Sequence, residues 1–310
     1  MATITVGLAG ITGKFGRLLA SHLLKNPIIT LRGYARDTSK VLPSIASHPS
    51  VTLFQGGAFD TATITPFVTG CDVVVCAYLG DDQLMVEGQK ALIDAAEIAG
   101  VARYVASDWS LDYRKLEFGQ HASKEPCKHV MAYLETKERK VKGVHIMVGG
   151  FTDVFFSPFL SIWDGETRTI RYYGDDSKPC EVTSYDNAAE WTAAIVADSE
   201  AVGVIKVLGD SKTMKDLAVE FESVYGEKPK LQCLGTAEEL YAKMHAMKDA
   251  SPADYMSYIP LFYLYYWMNG FTMLEPGLDN ERFSSVKPVT YRDFMTARRV
   301  DDLAKAFNAL

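Results

Sequence analysis

The chain has 310 residues, of which 48% are hydrophobic and 23% are charged. This composition is that of a soluble globular protein and excludes a disordered or collagenous chain. The 32 Lys and Arg against 39 Asp and Glu give a net charge of -7. Because no basic stripe stands out, nucleic acid is not expected as a direct ligand. The length suits one large α/β unit or two closely packed domains.

The sequence indicates a cytoplasmic protein. Its beginning, MATITV, has no basic region and no long apolar run, so neither a signal nor a transit peptide is predicted. The most apolar late segment, Ile259–Met268, is far shorter than the ~20 residues that a membrane helix needs. The five cysteines lack C-x-x-C spacing, which favours reduced thiols over disulfides or a zinc site.

The first half of the chain alternates strand-like and helix-like segments. Strands are predicted at Thr3–Ala9, Ile28–Tyr34, Val51–Gln55, Cys71–Tyr78, Ala102–Ser107 and Val144–Val148. Helices are predicted at Gly13–Lys25, Gln83–Ala99 and Pro126–Val141. Continuous apolar strands separated by helices are typical of a doubly wound parallel sheet of the Rossmann type. Such a sheet binds its ligand at the carboxyl ends of the strands.

The pattern changes after Gly150. Short strands at Thr167–Tyr173 and Val204–Val207 are interspersed with helices, which are predicted at Asn187–Ala197, Met214–Tyr225 and Thr236–Met247. We expect these elements to form a smaller α+β lobe against the edge of the sheet. The chain would then divide into a Rossmann domain, residues 1–150, and a closely packed C-terminal substrate lobe, residues 151–310.

The strongest local signal is a glycine pattern between the first strand and the first helix, Gly10-Ile11-Thr12-Gly13-Lys14-Phe15-Gly16. Glycines there permit a tight turn, a close approach of the backbone to a pyrophosphate, and close packing of helix on strand. The helix N-terminus adds unpaired N–H donors. A dinucleotide site is therefore predicted, and the alternative is a plain tight turn.

The end of the second strand indicates which dinucleotide binds. An NAD site usually has an acidic residue about 20 residues after the glycines. Here Arg36 stands at that distance from Gly16, and Lys40 follows one turn later. Arginine is suited to a 2′-phosphate because its planar fork donates in pairs. NADP(H) is therefore predicted, with Asp37 as the residue that favours the NAD(H) alternative.

These motifs resemble the NmrA-like and isoflavone-reductase-like family of atypical short-chain dehydrogenases/reductases. The glycine turn fits the family's G-x-T-G-x-x-G pattern. The other matching segments are Gln89–Ala96 (QKALIDAA), Val101–Ser110 (VARYVASDWS), Tyr173–Asp175 (YGD), Asp186–Ala188 (DNA), Asp279–Phe283 (DNERF) and Lys287–Thr290 (KPVT). The resemblance spans nearly the whole chain, and a fungal-type member from secondary metabolism is expected. It does not specify a substrate.

The resemblance implies an NADP(H) fold whose nicotinamide lies over the ends of the fourth to sixth strands. The residues expected there are Ala77, Tyr78, Leu79, Ser107, Gly150 and Phe151. Two kinds of function fit such a family member. One is a reductase that transfers hydride to an activated C=C, C=N or C=O bond of a small aromatic or alkaloid-like metabolite. The other is an NADP(H)-sensing regulator without turnover, and a cofactor-assisted rearrangement or cyclisation also remains open.

Reductases that resemble this chain carry a lysine in the first turn of the helix after the fifth strand. Aligning Val130 and Tyr133 with the family pattern puts Cys127 where that lysine would stand, with Lys128 one residue later and Lys124 three residues earlier. We expect Lys128 to transfer the proton after a one-residue shift. The alternative is that this chain uses no lysine here and that Cys127 packs against the substrate.

Tyr133 and Lys137 offer a second proton-transfer candidate. Their Y-x-x-x-K spacing is that of ordinary short-chain dehydrogenases, in which the lysine lowers the pKa of the tyrosine. Core packing of Tyr133 is the competing interpretation, because it falls on an apolar position of the helix.

Aromatic residues are abundant where a substrate would lie, and small-molecule pockets are mostly apolar. The candidates for substrate contact are Trp109, Tyr113, Phe155 and Trp267, together with His121 as a hydrogen-bond donor. For most of the rings the alternative is core packing, whereas for His121 it is an exposed loop position. Trp109 is the preferred candidate because its loop leaves a strand end beside the expected nicotinamide. No set of residues suggests hydrolysis or a metal site.

Overall fold

The structure, a computed structural model, describes residues 3–136 and 139–309. The strands in these ranges are β1 Ile4–Ala9, β2 Ile29–Ala35, β3 Val51–Gln55, β4 Val73–Cys76, β5 Arg103–Val105, β6 Lys142–Met147, β7 Gly150–Phe151, β8 Trp163–Asp164, β9 Thr169–Tyr172, β10 Cys180–Thr183, β11 Gly203–Lys206, β12 Asp210–Lys212 and β13 Lys230–Cys233. The α-helices are α1 Lys14–Leu23, α2 Pro43–Ala46, α3 Thr61–Val68, α4 Gln89–Ile98, α5 Glu125–Leu134, α6 Thr152–Phe155, α7 Tyr185–Ala197, α8 Met214–Tyr225, α9 Ala237–Ala250, α10 Tyr255–Met268 and α11 Tyr291–Thr296.

A seven-stranded parallel sheet forms the centre of the fold, with strand order β3-β2-β1-β4-β5-β6-β11. Every residue of β4 is buried, which explains why its sequence, VVVC, is apolar without alternation. The strand order reverses between β1 and β4, and an open α/β sheet binds its ligand in the crevice at such a reversal. The predicted Rossmann-type doubly wound sheet is confirmed.

Helices cover both faces of this sheet. On one face α1 and α7 pack through residues such as Leu19 and Trp191, and on the other α3 and α4 pack through Phe67 and Leu92. Each helix buries an apolar stripe against the strands. The carboxyl ends of the strands therefore form one rigid edge between two helical layers, and this edge positions the site.

One strand lies elsewhere than the sequence predicts. Val204–Val207 was expected in the smaller lobe, but β11 is the edge strand of the central sheet and pairs parallel to β6, with Ile205 opposite Ile146. The sequence of a four-residue strand does not indicate which sheet it joins. Its pairing with a strand that is distant in the chain determines its position. The Rossmann layer therefore uses residues on both sides of Gly150, and the division of the chain at that residue stays a prediction.

The rest of the C-terminal region forms a smaller lobe, as predicted. It contains two three-stranded sheets, β12-β10-β7 and β13-β9-β8, together with α8 to α11. Its core is rich in aromatic side chains, among them Phe155, Phe156, Phe221 and Phe294, all less than 2% exposed. This lobe adjoins the central sheet where β7 follows β6.

The predicted bounds of single elements hold to different degrees. The strand Val51–Gln55 agrees at both ends, whereas the helix predicted at Pro126–Val141 ends at Leu134. Lys137 lies outside the described residues. Within the described ranges, no helix combines the length and the apolar character needed to cross a membrane.

Candidate functional site

The turn between β1 and α1 has the geometry that a pyrophosphate requires. Gly10 has a φ of +87°, and a Cβ there would lie 2.6 Å from the Ala77 carbonyl oxygen. A Cβ on Gly16 would overlap the Gly10 carbonyl oxygen. Gly13 is the N-cap of α1 and has no side chain to accept from the first-turn N–H groups, so these donors remain available to an anion. Thr12 is half-buried at the rim of the same turn.

The end of β2 carries an exposed cation. Arg36 is exposed and has no hydrogen bond or ion pair to the residues that the structure describes. The Asp37 carboxylate is engaged within the protein, because it accepts hydrogen bonds from the Ser39 N–H (3.0 Å) and hydroxyl (2.6 Å). These hydrogen bonds lower the pKa of Asp37. The Lys40 ammonium lies 3.6 Å from Asp37, so Arg36 is the residue best placed for a 2′-phosphate.

The ends of β4 and β5 are fastened to each other. The Ser107 hydroxyl donates to the Tyr78 carbonyl oxygen (2.7 Å), and the Ser107 N–H donates to Gln89 Oε1 (3.0 Å). Gln89 is fully buried, which gives a structural role to the first residue of the QKALIDAA segment. Beyond this point the chain from Ala77 onward becomes exposed, and Leu79 is 86% exposed. The hydrogen-bonded strand ends and the exposed segment after them together form a surface that could hold a planar ring.

Aromatic side chains from five segments meet beside the glycine turn. We call them the turn-side aromatic cluster: Phe15, Trp109, Phe151, Tyr185 and Phe307. The Phe15 and Trp109 ring centroids are 4.0 Å apart, and Phe151 stacks on Tyr185 at 3.9 Å. Phe307 contacts Tyr185 edge-on at 5.6 Å. The cluster therefore includes a residue near the end of the chain.

Lys14 contacts that C-terminal segment rather than open space. Its ammonium donates to the Phe307 carbonyl oxygen (2.7 Å) and lies 4.6 Å from the centroid of the Phe307 ring. The segment Val300–Ala309 is also anchored by an ion pair between Asp301 and Arg168 (2.7 Å). The side chain predicted to contact the cofactor is thus paired within the protein in this structure.

Trp109 does not have the exposure that a substrate contact needs. It is 7% exposed, and its indole N–H donates to the Thr192 hydroxyl of α7 (2.8 Å). With its ring against Phe15 and its one polar atom occupied, Trp109 packs the interface between α1 and α7. The loop leaves the strand end as predicted, but the side chain turns toward the core because an indole is mostly apolar.

Three other predicted substrate residues also pack in the interior. Tyr113 and Phe155 are fully buried. The Trp267 indole N–H donates to the Glu181 carbonyl oxygen (2.9 Å), and its ring covers Gly150 so closely that a Cβ there would overlap it. These rings form the contact between the two lobes, the alternative that the sequence had left open. Gly150 is needed for the close approach of Trp267 rather than for an open nicotinamide floor.

On α5 the expected proton donor, Lys128, contacts the loop that precedes the helix. The Lys128 ammonium donates to the Leu116 carbonyl oxygen and lies 4.3 Å from the centroid of the Phe118 ring. Its neighbour Cys127 is buried, and burial raises the pKa of that thiol to about 12. Cys127 is therefore a packing residue at neutral pH, and the role of Lys128 in proton transfer stays a prediction.

Tyr133 lies on the outer side of α5. Its hydroxyl donates to Asp94 of α4 (2.8 Å), and the Arg139 guanidinium sits 3.9 Å from its ring centroid. Lys137, its proposed partner, lies outside the described residues. The hydroxyl is thus held in a polar network between α4 and α5, and the catalytic role of Tyr133 stays a prediction.

A polar group that the sequence did not assemble lies at the start of α5. We call it the His121 group: His121, Ser123, Lys124 and Tyr263. His121 Nδ1 is 3.1 Å from Ser123 Oγ, and the Ser123 hydroxyl donates to the Tyr263 hydroxyl (2.8 Å). The Lys124 ammonium lies 5.0 Å from the Tyr263 ring centroid. Polar side chains therefore converge inside an otherwise aromatic region.

His121 itself is 1% exposed, contrary to the exposed-loop alternative. Burial, together with the nearby Lys124, holds the pKa of His121 well below its ordinary value, so the imidazole is neutral at neutral pH. Sequence spacing could not reveal this group, because Ser123 and Tyr263 are 140 residues apart. Tyr263 is one of the aromatic residues of the second lobe that the sequence places near a substrate or in the core, and its hydroxyl's partner cannot be predicted from that segment.

The Rossmann-type sheet and its bare glycine turn define a dinucleotide-binding protein. The sequence matches the NAD(P)H-binding family over residues 10–199. This chain belongs to that family, and NAD(P)H is its cofactor class. No curated protein sequence matches the chain significantly.

Solved structures share the fold over nearly the full length. An isoflavone reductase is 17% identical, with a TM-score of 0.77 over 96% of this chain and 99% of its own. AtPrR2, solved with NADP+ and (+)pinoresinol, is 18% identical, with a TM-score of 0.73 over 99% of both chains. Leucoanthocyanidin reductase from Vitis vinifera, in a binary complex with NADPH, is 14% identical, with a TM-score of 0.74 over 94% of this chain and 98% of its own. The resemblance to isoflavone-reductase-like proteins is confirmed at the level of the fold.

Proposed function

We propose that this protein is a cytoplasmic NADPH-dependent oxidoreductase that reduces a small aromatic or alkaloid-like secondary metabolite. The acceptor would be an activated C=C, C=N or C=O bond. The observation that carries the proposal is the N-terminus of α1, which has no side-chain cap and follows the tight turn at Gly10. The exposed Arg36 lies at the end of the next strand. The reductases among the structural relatives support it. When bound, NADPH supplies a hydride from its nicotinamide ring.

The residues of this chain would divide the binding of that cofactor between them. The backbone from Gly10 to Gly16 receives the pyrophosphate on N–H groups, and Arg36 clamps the 2′-phosphate. Tyr78 and Ser107, which are fastened to each other at the strand ends, would hold the nicotinamide ring. Phe151 and Phe15 border this space from the turn-side aromatic cluster.

Replacing Arg36 with Ala is expected to weaken NADPH binding and to leave NADH binding nearly unchanged. The lost charge-assisted hydrogen bonds are worth about 1.5–3 kcal/mol, which corresponds to roughly a tenfold to hundredfold rise in the NADPH dissociation constant. Calorimetric titration with both cofactors measures this. Lys40→Ala is the matched control, since its ammonium is occupied by Asp37, and should cost much less. Equal losses for NADPH and NADH would reject the assignment of Arg36 to the 2′-phosphate.

The reductase assignment is tested by NADPH consumption with a panel of aromatic quinones, enones, cyclic imines and aldehydes. Consumption of NADPH with formation of the reduced product, lost when the cofactor turn is altered, would support it. Tight NADPH binding without consumption across the panel would contradict it and favour the second candidate.

That second candidate is an NADP(H) sensor without turnover. It is favoured by one observation: the turn-side aromatic cluster and the Lys14–Phe307 contact fill the space next to the glycine turn. Cofactor binding would then displace the segment Val300–Ala309 and change the surface that the protein presents to a partner.

Phe307→Ala is expected to tighten NADPH binding, by about threefold to tenfold, because it raises the fraction of molecules whose turn is open. Fluorescence titration with NADPH measures the affinity. Phe59→Ala is the control, since Phe59 is an exposed phenylalanine in the loop after β3, and should leave the affinity unchanged. If Phe307→Ala binds NADPH no more tightly than the wild type, the C-terminal segment does not compete with the cofactor.

A further inference from the structure

Several buried polar atoms have no hydrogen-bond partner in the described part of the chain. On the segments that follow β4 and β5 they include Tyr78 Oη, Asp108 Oδ1, Tyr113 Oη and His121 Nε2. Buried polar atoms are nearly always paired in folded proteins, so an unpaired set points to a ligand or to water. His121 Nε2 belongs to a ring in contact with Tyr263 and Tyr266, with centroids 4.7 and 5.7 Å apart.

The hydrogen bonds of the His121 group run in one direction. The Ser123 hydroxyl donates to Tyr263, so its oxygen is left to accept from His121 Nδ1–H across 3.1 Å. Because His121 is neutral, its ring carries one N–H, which is then on Nδ1. Nε2 carries no hydrogen in this tautomer and can only accept a hydrogen bond. At the other end of this chain of bonds, the Tyr263 hydroxyl accepts from Ser123 and keeps its own hydrogen for another acceptor.

Most of the His121 group belongs to the segment that joins the end of β5 to α5. Lys124 is the N-cap of α5, and His121 and Ser123 directly precede it. The Lys124 ammonium near the Tyr263 ring favours a developing negative charge on that side. Tyr263 is half-buried in α10, the helix that the C-terminal lobe places over the start of α5.

We propose that Tyr263 is the catalytic residue that donates a proton to the substrate, and that Ser123 and His121 are positioning residues that resupply it. The assignment rests on the proposed reductase function. Its substrate is an aromatic carbonyl or conjugated carbonyl compound, whose oxygen accepts from the Tyr263 hydroxyl while its ring lies among the aromatic side chains of α10.

The step balances in atoms and electrons. Bound NADPH would supply the electron pair, as hydride, that reduces the carbonyl carbon, and the carbonyl oxygen would take the negative charge. The O–H bond of Tyr263 breaks as the new O–H bond of the product forms. The Ser123 proton then moves to the tyrosine oxygen and the His121 Nδ1 proton moves to Ser123. Water supplies a proton to His121 Nε2, so that the imidazole stays neutral and changes tautomer, releasing hydroxide to solvent.

The first test needs no turnover. The probe is p-dimethylaminobenzaldehyde, whose absorption moves to longer wavelength when its carbonyl oxygen accepts a hydrogen bond, added to the protein loaded with NADP+. The wild type is expected to bind the probe with a red shift, and Tyr263→Phe to bind it without one. Tyr265→Phe, the same change on the same helix with its ring stacked on Phe271, should keep the shift. A shift retained in Tyr263→Phe, or no binding to the wild type, would overturn the proposal.

Turnover then separates this proposal from the proposed function. With p-nitrobenzaldehyde and NADPH, Tyr263→Phe is expected to lose about a hundredfold to ten-thousandfold in kcat, the usual contribution of a general acid, with NADPH affinity unchanged. Ser123→Ala should also lower kcat, and Ser123→Thr should restore it, because threonine keeps the hydroxyl. If Tyr263→Phe keeps the turnover of the wild type, Tyr263 is not the proton donor, whereas the reductase function still stands. Absence of NADPH consumption by the wild type would instead reject the reductase function.

Discussion

Gly13→Asp is expected to abolish NADPH binding while leaving the protein folded. Gly13 has a φ of -70° and a ψ of 163°, an extended conformation open to any residue, at the N-cap of α1. Aspartate is a preferred N-cap, since its carboxylate accepts from the first-turn N–H groups. Those are the donors that the pyrophosphate needs. The new carboxylate thus stabilises the free helix and competes with the ligand for the same hydrogen bonds.

Charge repulsion adds to this competition. A carboxylate about 4 Å from a phosphate charge costs on the order of 4 kcal/mol at an intermediate dielectric constant, equivalent to roughly a thousandfold in the dissociation constant. A Cβ at Gly13 would lie 3.3 Å from the Gly10 carbonyl oxygen, a close contact that a small shift relieves. Steric disruption of the fold is therefore not the expected cause of the loss.

Gly13→Asn is the matched control, with the same shape and no charge, and should retain measurable NADPH affinity. Calorimetric titration gives the dissociation constants, and thermal unfolding confirms that both variants are folded. Wild-type affinity in Gly13→Asp would show that the pyrophosphate does not bind at this turn.

Arg103→Met is expected to give a large loss of stability. Arg103 lies in β5 and is 5% exposed. Its guanidinium donates to the carbonyl oxygens of Val196 and Asp198, each at 2.8 Å, and of Ile195 at 3.3 Å. These carbonyls lie at the C-terminal end of α7, where the helix dipole favours a positive charge. The Ile195 and Asp198 carbonyl oxygens also accept from the backbone N–H groups of Asp198 and Ala201.

Methionine would fill most of the volume, but it would remove the guanidinium donors and leave the Val196 carbonyl oxygen without the hydrogen bond from Arg103. The lost hydrogen bonds from a charged group and the penalty for that buried carbonyl together predict a fall in the free energy of unfolding of about 3–5 kcal/mol. The effect should appear in denaturant unfolding as a lower midpoint. Because α7 covers the central sheet beside α1, a weaker NADPH affinity should accompany it.

The control for Arg103 is another arginine at the same helix end. Arg282 pairs with the Asp198 side chain at 2.7 Å and its side chain is 38% exposed, so Arg282→Met removes a surface ion pair worth about 0–1 kcal/mol. If both variants unfolded at the same denaturant concentration, the buried guanidinium would not be the anchor of α7 that its hydrogen bonds indicate.

Features that depend on local pattern could be predicted from the order of the residues alone. Buried parallel strands are apolar throughout. The turn after β1 needs glycine at positions 10 and 16, because a Cβ at either position would clash with a backbone oxygen. The Arg36 position follows from the end of β2. Such features need only the neighbouring residues to be recognised, and they include the doubly wound sheet, the glycine turn and the cofactor class.

Which side chains contact one another depends on how the elements pack in three dimensions. One residue's step along an α-helix turns the side chain by about 100°, and this separates the buried Cys127 from Lys128, whose ammonium reaches the Leu116 carbonyl oxygen instead. The pairing of Ser123 with Tyr263 and the contact of Lys14 with Phe307 join segments 140 and 293 residues apart. Side-chain direction and long-range packing follow from how whole layers fit together, and no local spacing in the sequence encodes them.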